Sequence, residues 1–405
     1  MRRLLARVSG CSAWARTALT LGACLFLAAR GYGQGWTQVN QNGFGDVNNY
    51  LAQSMAVFND QLYVGTYNGV TGVEVWRTPD GTSWSQVNAD GFGNVHNVST
   101  RAICAFKGML YVGTQNGWAG AEIWRSPDGT SWSKVLDGGF GNVSDSMVYT
   151  LAAFGDYLYA GAGKWIVNSE LWRSSDGANW EHVNGDGFGD GSNTDVMSLA
   201  VFRGELYAGM NNSVNGATVF RSPDGTTWSR VNGYGFGDQR NWAVWSMVVG
   251  GDYLYAGTGN TQTGGEIWRS ATGTSWTQVN DDGFGENDNA IIAAMAAIGE
   301  RVFAGTACTF GATEVRTASN GLTWIQANED GFGDPGNDGT GSMAVFGNQL
   351  YVGTELGTAL GSDGCEVWRS GFLAATLVPT LSSIGLGTFL LLLAAVAVFV
   401  LSRRD

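Results

Sequence analysis

Irregular aromatic and polar side chains are the residues of this 405-residue sequence best suited to bind a ligand. An aromatic face can stack on a sugar ring, while a neighbouring amide or guanidinium donates hydrogen bonds to its hydroxyls. Eight such residues stand where the sequence departs from an otherwise regular repeat, and ligand binding needs this asymmetry. The predicted ligand-binding residues are Gln53, Tyr67, Arg101, Trp118, Tyr149, Trp165, Trp242 and Trp245. The alternative interpretation is that these rings fill space between unequal loops.

A 48-residue period, marked by a tryptophan and by the phenylalanine of a Gly-Phe-Gly turn, organises the chain. The tryptophans are Trp36, Trp84, Trp132, Trp180, Trp228, Trp276 and Trp324. The phenylalanines are Phe44, Phe92, Phe140, Phe188, Phe236, Phe284 and Phe332. A sustained period of this length is typical of solenoids and propellers.

Each repeat contains four short apolar runs separated by turn residues, which predicts four antiparallel strands. In the first repeat these runs are 54–58, 62–66, 73–77 and 84–87. Seven such units predict an all-β, seven-bladed β-propeller over residues 34–371. The chain starts with a lone fourth strand at 36–39 and its last repeat ends after its third strand. The first strand is therefore predicted to complete the last blade and remove an open edge.

The turn between the third and fourth strands, Thr78-Pro79-Asp80-Gly81, resembles the Asp-box turn of sialidase-like propellers, shortened by one residue. The resemblance implies that the aspartate bonds turn amides and that the turn lies away from any active face. Two repeats depart from the pattern, with Thr272 and Asn320 at the aspartate position.

The same resemblance implies an alternative function, a glycoside hydrolase. Such an enzyme would need an arginine cluster, a tyrosine–glutamate pair and an acid on one face. Arg101 and Tyr149 keep this alternative open. The glutamates that begin the third strand recur in the repeats, so they are interpreted as hydrogen-bonding groups between blades. No nucleophile motif, phosphate loop or dinucleotide fingerprint is present, so a non-catalytic binding or scaffold protein is predicted, with a purely structural surface protein as second alternative.

Two acidic turns are candidates for calcium, although no cofactor is otherwise expected. The candidate ligands are Asn184, Asp186, Asp190, Asn328, Asp330 and Asp334. These turns resemble part of the calcium loop of FG-GAP propeller repeats, but the leading aspartate of that family is absent from every copy. A hard cation needs several carboxylates, so the alternative is that the turns serve packing.

The two ends of the chain predict export. Residues 1–33 combine arginines, an apolar stretch and a small-residue cleavage site, as in a secretory signal peptide. Residues 372–405 contain Pro379-Thr380-Leu381, an apolar run long enough to span a bilayer and a basic end. This order resembles the IPTL-CTERM sorting signal of Gram-negative bacteria, with motif residues Val378, Pro379, Thr380, Leu381 and Gly385. The resemblance implies an exosortase-type peptidase partner, membrane anchoring before sorting and a final place at the cell surface. A simple membrane anchor is the alternative.

The charge balance limits the possible partners. The formal net charge is −13, which disfavours binding to nucleic-acid phosphates. We expect a monomeric protein. Cys308 and Cys365 fall in corresponding loops of neighbouring repeats and could form a disulfide in an oxidising compartment.

Overall fold

A computed structural model describes residues 35–163, 169–184, 186–356 and 363–372. The predicted signal peptide, sorting motif and membrane-spanning segment lie outside these residues. Within the described ranges, no helix is long and apolar enough to cross a membrane. The described residues up to Gly371 belong to one compact unit.

The regular structure of the described chain is antiparallel β-sheet with short 3-10 turns, as predicted. The strands of the first two repeats are β1 Thr37–Gln38, β2 Leu51–Phe58, β3 Gln61–Tyr67, β4 Val75–Thr78, β5 Ser85–Gln86, β6 Ser99–Phe106, β7 Met109–Gln115, β8 Ile123–Ser126 and β9 Ser133–Leu136. The next two repeats contain β10 Met147–Phe154, β11 Tyr157–Gly163, β12 Glu170–Ser174, β13 Glu181–Asn184, β14 Asp195–Phe202, β15 Glu205–Asn211, β16 Val219–Ser222 and β17 Ser229–Arg230. The remaining strands are β18 Ala243–Gly250, β19 Tyr253–Gly259, β20 Ile267–Ser270, β21 Thr277–Gln278, β22 Ile291–Ile298, β23 Arg301–Ala307, β24 Val315–Ala318, β25 Ile325–Gln326, β26 Asn337–Phe346, β27 Gln349–Leu356 and β28 Val367–Arg369.

The strands pair in sets of four, and we call each set a blade. The blades are β2–β5, β6–β9, β10–β13, β14–β17, β18–β21, β22–β25 and β26–β28 with β1. The first strand of each blade packs against the first strands of its two neighbours, and β26 packs against β2. The first strands therefore form a closed ring around a central space. The second strand of each blade is covered on both faces of its sheet, so its side chains are apolar on both. Leu62, Tyr63 and Val64 of β3, for example, are fully buried.

The ring closes through the N-terminal strand, as the sequence predicts. Thr37 pairs with Arg369 and Gln38 pairs with Trp368, so β1 is the outer strand of the blade that contains β28. The Trp36 indole donates a hydrogen bond to the carbonyl of Ala327 in the preceding blade, at 2.6 Å. This arrangement joins the two ends of the described chain within one sheet.

An aromatic cluster fills the seam between neighbouring blades. Phe92 follows the outer strand β5, stacks on Trp124 with ring centroids 4.8 Å apart and meets Trp132 edge-on at 5.4 Å. Both tryptophans belong to the next blade, and the Trp132 indole donates to the carbonyl of Val87. Equivalent clusters recur, with Phe220 in place of the stacked tryptophan at Phe188 and Arg316 at Phe284. We call this Phe–Trp–Trp arrangement the seam cluster.

The phenylalanine of the seam cluster adopts a left-handed backbone conformation. The Gly-Phe-Gly turns form short 3-10 segments at Asn42–Gly45, Asp90–Gly93, Gly139–Gly141, Asp186–Gly189, Tyr234–Gly237, Asp282–Gly285 and Asp330–Gly333. Within these turns Phe92 has φ 55° and ψ 33°, a region that costs a non-glycine residue about 1 kcal/mol or more. The aromatic contacts must offset this strain, since the conformation recurs at each equivalent phenylalanine.

The turn between the third and fourth strands is built around an aspartate, as predicted. The Asp80 carboxylate accepts hydrogen bonds from the backbone N–H groups of Ser83 and Thr82, at 2.7 and 2.8 Å. These bonds hold the pKa of Asp80 well below its usual value. Gly81 has φ +78°, and a Cβ there would collide with the hydroxyl of Tyr351 in the neighbouring blade. The turn therefore serves blade construction.

The recurring glutamates are hydrogen-bonding groups, but they bond within their own repeat. The Glu74 carboxylate accepts from the Asn49 amide at 2.8 Å and from the Trp76 indole at 2.7 Å. Asn49 lies in the loop that leads into the same blade, so the bond fixes this loop rather than the next blade. Burial raises the pKa of Glu74, against the effect of these hydrogen bonds.

Cys308 and Cys365 do not form the disulfide that their positions allow, because both cysteines are free. Cys308 takes the place of a repeated asparagine, and its thiol donates to the Asn289 side-chain oxygen at 3.2 Å. Cys365 is buried at the start of the third strand, where its backbone N–H bonds the carbonyl of Asn49. Each cysteine therefore forms hydrogen bonds with the loop next to it and not with the other cysteine. Burial raises the pKa of Cys308 to about 12, so its sulfur remains a thiol.

Phe92→Ala is expected to lower the free energy of unfolding by about 3 kcal/mol, because it removes the seam cluster but keeps a side chain in the left-handed region. Phe92→Gly removes the same contacts and also relieves the strain, so it should be about 1 kcal/mol more stable than the alanine variant. Urea unfolding followed by tryptophan fluorescence measures both. Equal stability of the two variants would show that backbone strain at this position is negligible.

Thr272→Asp is expected to stabilise the protein at neutral pH. The backbone N–H groups of Thr274 and Ser275 donate hydrogen bonds to the Thr272 hydroxyl at 3.3 and 3.2 Å. A carboxylate at this position would form stronger hydrogen bonds with both groups. By analogy with Asp80, the folded-state pKa should be depressed. The gain in stability is then present above the unfolded-state pKa of roughly 4 and is lost as the pH falls through the folded-state pKa.

Thermal unfolding at a series of pH values measures this effect. Ala271→Asp, which adds the same charge at an exposed neighbouring position, is the control. A similar gain in both variants would contradict the role of the turn amides.

Candidate functional site

The irregular positions of the first strands are β-bulges. The register of β2 against β3 shifts between Ala52 and Ser54, which leaves Gln53 as the extra residue. The same shift occurs at Tyr149 and Trp245, and a wider one in β6 includes Arg101. A bulge re-aims a side chain out of the regular alternation of its strand. These bulges turn the residues that break the repeat toward one end of the central space, which we call the channel mouth.

The channel mouth holds a cavity of about 640 Å³. Five of the eight predicted ligand-binding residues line it together. They are Gln53, Tyr67, Arg101, Tyr149 and Trp245.

The other three predicted residues do not line this cavity. Trp242 contacts one of the lining residues, because its ring meets that of Trp245 edge-on at 5.5 Å. Trp118 lies elsewhere, with 80% of its side chain exposed and its ring 5.5 Å from that of His96. Trp165 lies outside the described residues. The sequence therefore identified the channel mouth but not the full extent of the cavity.

Arg101 lies between two aromatic rings. Its guanidinium carbon is 4.7 Å from the Trp245 ring centroid and 5.8 Å from that of Tyr149. Cation–π contacts of this kind are worth about 0.5–2 kcal/mol, depending on how far the cation is desolvated. Burial lowers the pKa of Arg101, while Tyr149, Glu355 and Asp195 act in the opposite direction. The arginine is nevertheless charged at any physiological pH.

Tyr149 lies beside a buried acid that the sequence analysis did not select. Burial is the main cause that raises the pKa of Tyr149, and the charge of Asp195 adds to it. The Asp195 carboxylate accepts hydrogen bonds from the Thr194 hydroxyl at 2.8 Å and the Asn211 amide at 2.9 Å. Tyr149 is therefore a neutral phenol whose hydroxyl donates a hydrogen bond to the Asp195 carboxylate.

Two further acids line the cavity, Asp338 and Glu355. Strand β26 contains a second bulge, between Asn337 and Gly339, which turns Asp338 toward the mouth. Burial raises the pKa of Asp338 to about 6. Burial also raises the pKa of Glu355, partly offset by the charge of Arg101.

A sequence signal for Glu355 was available but was missed. Glu355 is the last residue but one of β27, at the position that holds Tyr67 in the first blade, and this position varies between repeats. Its equivalents are Tyr67, Gln115, Gly163, Asn211, Gly259 and Ala307. The aromatic Tyr67 was selected there and the acid was not. A comparable signal exists for Asp338, which occupies the position of Trp242 in the repeat, a position that also varies. The spacing of the sequence does not reveal the additional bulge of β26 beside it.

The candidate calcium residues take part in local turn bonds. Asp190 accepts hydrogen bonds from the Ser192 N–H and the Tyr234 hydroxyl, each at 3.0 Å. Asn328 bonds the backbone of Val315. The other candidates are Asn184, Asp186, Asp330 and Asp334. In the ranges that the structure describes, no three His, Cys, Asp or Glu residues are grouped so as to hold a metal ion. Calcium binding stays a prediction.

Comparison with solved structures shows a β-propeller fold. The chain is similar to the WD40 β-propeller domain of Doa1, with TM-score 0.52, 12% identity and coverage of 83% of this chain and 97% of that one. It is also similar to U3-55K, with TM-score 0.55, 12% identity and coverage of 83% and 98%. The polysaccharide lyase Uly1 matches with TM-score 0.47, 9% identity and coverage of 83% and 93%.

Identities this low indicate the fold alone. No family model matches the chain. No curated protein matches it either.

Asp338→Asn is expected to raise the thermal midpoint at pH 8 and to leave it unchanged at pH 4. Because the folded-state pKa is raised, the stability that the neutral acid contributes is lost as the pH rises through about 6. The amide removes the cost of a desolvated charge above that pH. Thermal unfolding of both proteins at the two pH values measures the difference, and an equal shift at pH 4 would disprove the titration of Asp338 as its cause.

Proposed function

We propose that this chain is a seven-bladed propeller that binds a glycan or extracellular matrix polymer at the channel mouth. The observation that carries the proposal is the convergence of Gln53, Tyr67, Arg101, Tyr149 and Trp245 on one cavity. These residues come from separate parts of the chain and break the repeat, whereas the repeated residues build the blades. The bulge itself recurs in the other first strands, including at Ala293 and Gly341, so it is the choice of large polar and aromatic side chains at some of these positions that supports binding.

The chemistry of the cavity suits a sugar. Tyr67 and Trp245 line the cavity with aromatic rings, of which the Trp245 ring also contacts Arg101. Gln53 contributes an amide and Tyr149 a buried phenol. Apolar sugar faces stack on such rings while directional hydrogen bonds read the hydroxyls. The cavity volume of about 640 Å³ lies within the range of small-ligand sites, so one or a few sugar units of a longer polymer could occupy it.

Export and sorting belong to the same proposal. The predicted signal peptide and sorting motif would bring the propeller to the cell surface, through membrane anchoring by the C-terminal segment and recognition by an exosortase-type peptidase. The acidic charge supports an extracellular ligand rather than nucleic acid. A propeller closed by its first strand leaves only short outer strand edges, which supports a monomer.

A glycoside hydrolase is the second candidate, and two observations favour it. Tyr149 lies beside the acid Asp195, and Asp338 has a pKa near 6, as a general acid requires. Arg101 is a single arginine, however, and it occupies two aromatic faces. Binding without turnover is therefore the better-supported function.

A glycan-array screen of the protein tests the proposal, with release of reducing sugar assayed on every hit. Trp245→Ala should weaken binding by about tenfold or more, since stacking on one ring is worth roughly 1 kcal/mol beyond the apolar area it buries. Trp118→Ala, which changes an exposed ring outside the cavity, is the matched control.

Release of sugar that is lost in Asp338→Asn would move the function to hydrolysis. Binding that Trp118→Ala weakens and Trp245→Ala does not would disprove the channel mouth as the site.

A further inference from the structure

We propose that the channel mouth recognises a free ammonium group, as carried by a polysaccharide of unacetylated amino sugars. This inference rests on the proposed glycan-binding function and specifies its ligand class. It depends on Asp338 and Glu355, neither of which was part of the predicted site.

The two acids are placed in the cavity by the architecture of one blade. The second bulge of β26 turns Asp338 inward, and Gly339, the next residue, pairs with Glu355 on β27. Both carboxylates line the same cavity. Bulges that re-aim a side chain beside a cavity are typical of functional sites, because the extra residue disrupts the ladder without benefit to the sheet.

Neither acid has a side-chain partner in the described ranges, although the Asp338 carboxylate accepts a hydrogen bond from its own backbone N–H. Among the residues that the structure describes, no side-chain hydrogen bond or salt bridge reaches the carboxylate of Asp338 or Glu355. Both are desolvated, which raises the pKa of each. A desolvated carboxylate without a partner costs free energy that a bound cation with N–H donors would recover.

Arg101 does not fill this role. Its guanidinium faces the rings of Trp245 and Tyr149, and it forms no salt bridge with Glu355 in the described part of the chain. The arginine affects Glu355 only through its charge at a distance. The cavity therefore keeps two acids available on the side formed by β26 and β27.

Aromatic rings accompany these acids. Tyr50 and Tyr67 line the same cavity, with ring centroids 6.4 Å apart. The backbone carbonyl of Tyr50 accepts a hydrogen bond from Leu356, the residue after Glu355. A protonated amine gains from carboxylates and aromatic faces together, whereas an acetamide carries no charge for the carboxylates to attract. The net charge of −13 would also attract a cationic polymer.

The test compares three oligosaccharides of the same length: a glucosamine oligomer, its N-acetylated counterpart of the same linkage, and a uronic acid oligomer. Affinities are measured by isothermal titration calorimetry just above the Asp338 pKa of about 6. We expect the glucosamine oligomer to bind at least tenfold more tightly than the other two.

Asp338→Asn and Glu355→Gln should each reduce affinity for the glucosamine oligomer by about tenfold and leave the N-acetylated oligomer unaffected. Both substitutions keep the shape of the side chain while removing its charge. Asp60→Asn removes one charge from an exposed turn residue outside the cavity and should change neither affinity. Trp245→Ala should weaken every oligomer that binds, because it removes the shared aromatic face.

The outcomes separate the two proposals. Equal or tighter binding of the N-acetylated oligomer would overturn the ammonium preference but leave glycan binding intact. Tighter binding of the uronic acid oligomer, lost in Arg101→Gln, would overturn it in favour of an anionic ligand. If no glycan binds on the array or in solution, the proposed function fails and this inference fails with it.

Discussion

The seam cluster is the contact on which the rest of the structure depends. A single blade has four short strands and cannot bury both of its faces, so its stability comes from its neighbours. Phe92 leaves one blade and inserts against Trp124 and Trp132 of the next, in a conformation that strains its backbone. Two aromatic contacts of about 0.5–1.5 kcal/mol each, beyond the buried area, offset that strain. Because the last cluster uses Trp36, the same contact closes the ring.

A rigid ring explains why the site can be irregular. The first strands share one ladder pattern, so each bulge presents its residue at an equivalent place around the mouth. The side chain at that place can then vary without disturbing the blade, from glutamine in β2 to tyrosine in β10 and tryptophan in β18. Packing of the blade and binding of a ligand therefore depend on different residues of the same strand. This separation allows a repeat protein to hold an asymmetric site.

The blades could be predicted from sequence because they depend on local patterns: apolar runs, turn residues and a fixed period. Gln53, Arg101, Tyr149 and Trp245 could be selected because each breaks that period at one position. The cavity as a whole could not be predicted from the sequence. Asp338 depends on a bulge that changes no spacing in the sequence, and the separation of Cys308 from Cys365 depends on which loop each one supports. Trp118 breaks the repeat as clearly as Trp245 does, but loop geometry leaves it in solvent.

The charged side chains at the channel mouth remain apart because the strands that carry them cannot move toward one another. Arg101 belongs to the blade that starts with β6, whereas Asp338 and Glu355 belong to the blade that starts with β26. The blade of β2–β5 stands between them, since β2 packs against both β6 and β26. In a flexible loop, an arginine and two acids sharing one cavity would form a salt bridge and close it. Here the hydrogen-bonded ladders fix the separation, and Trp245 and Tyr149 hold the guanidinium in place. The fold thus keeps both signs of charge available in one cavity, which is the condition for recognising a charged ligand there.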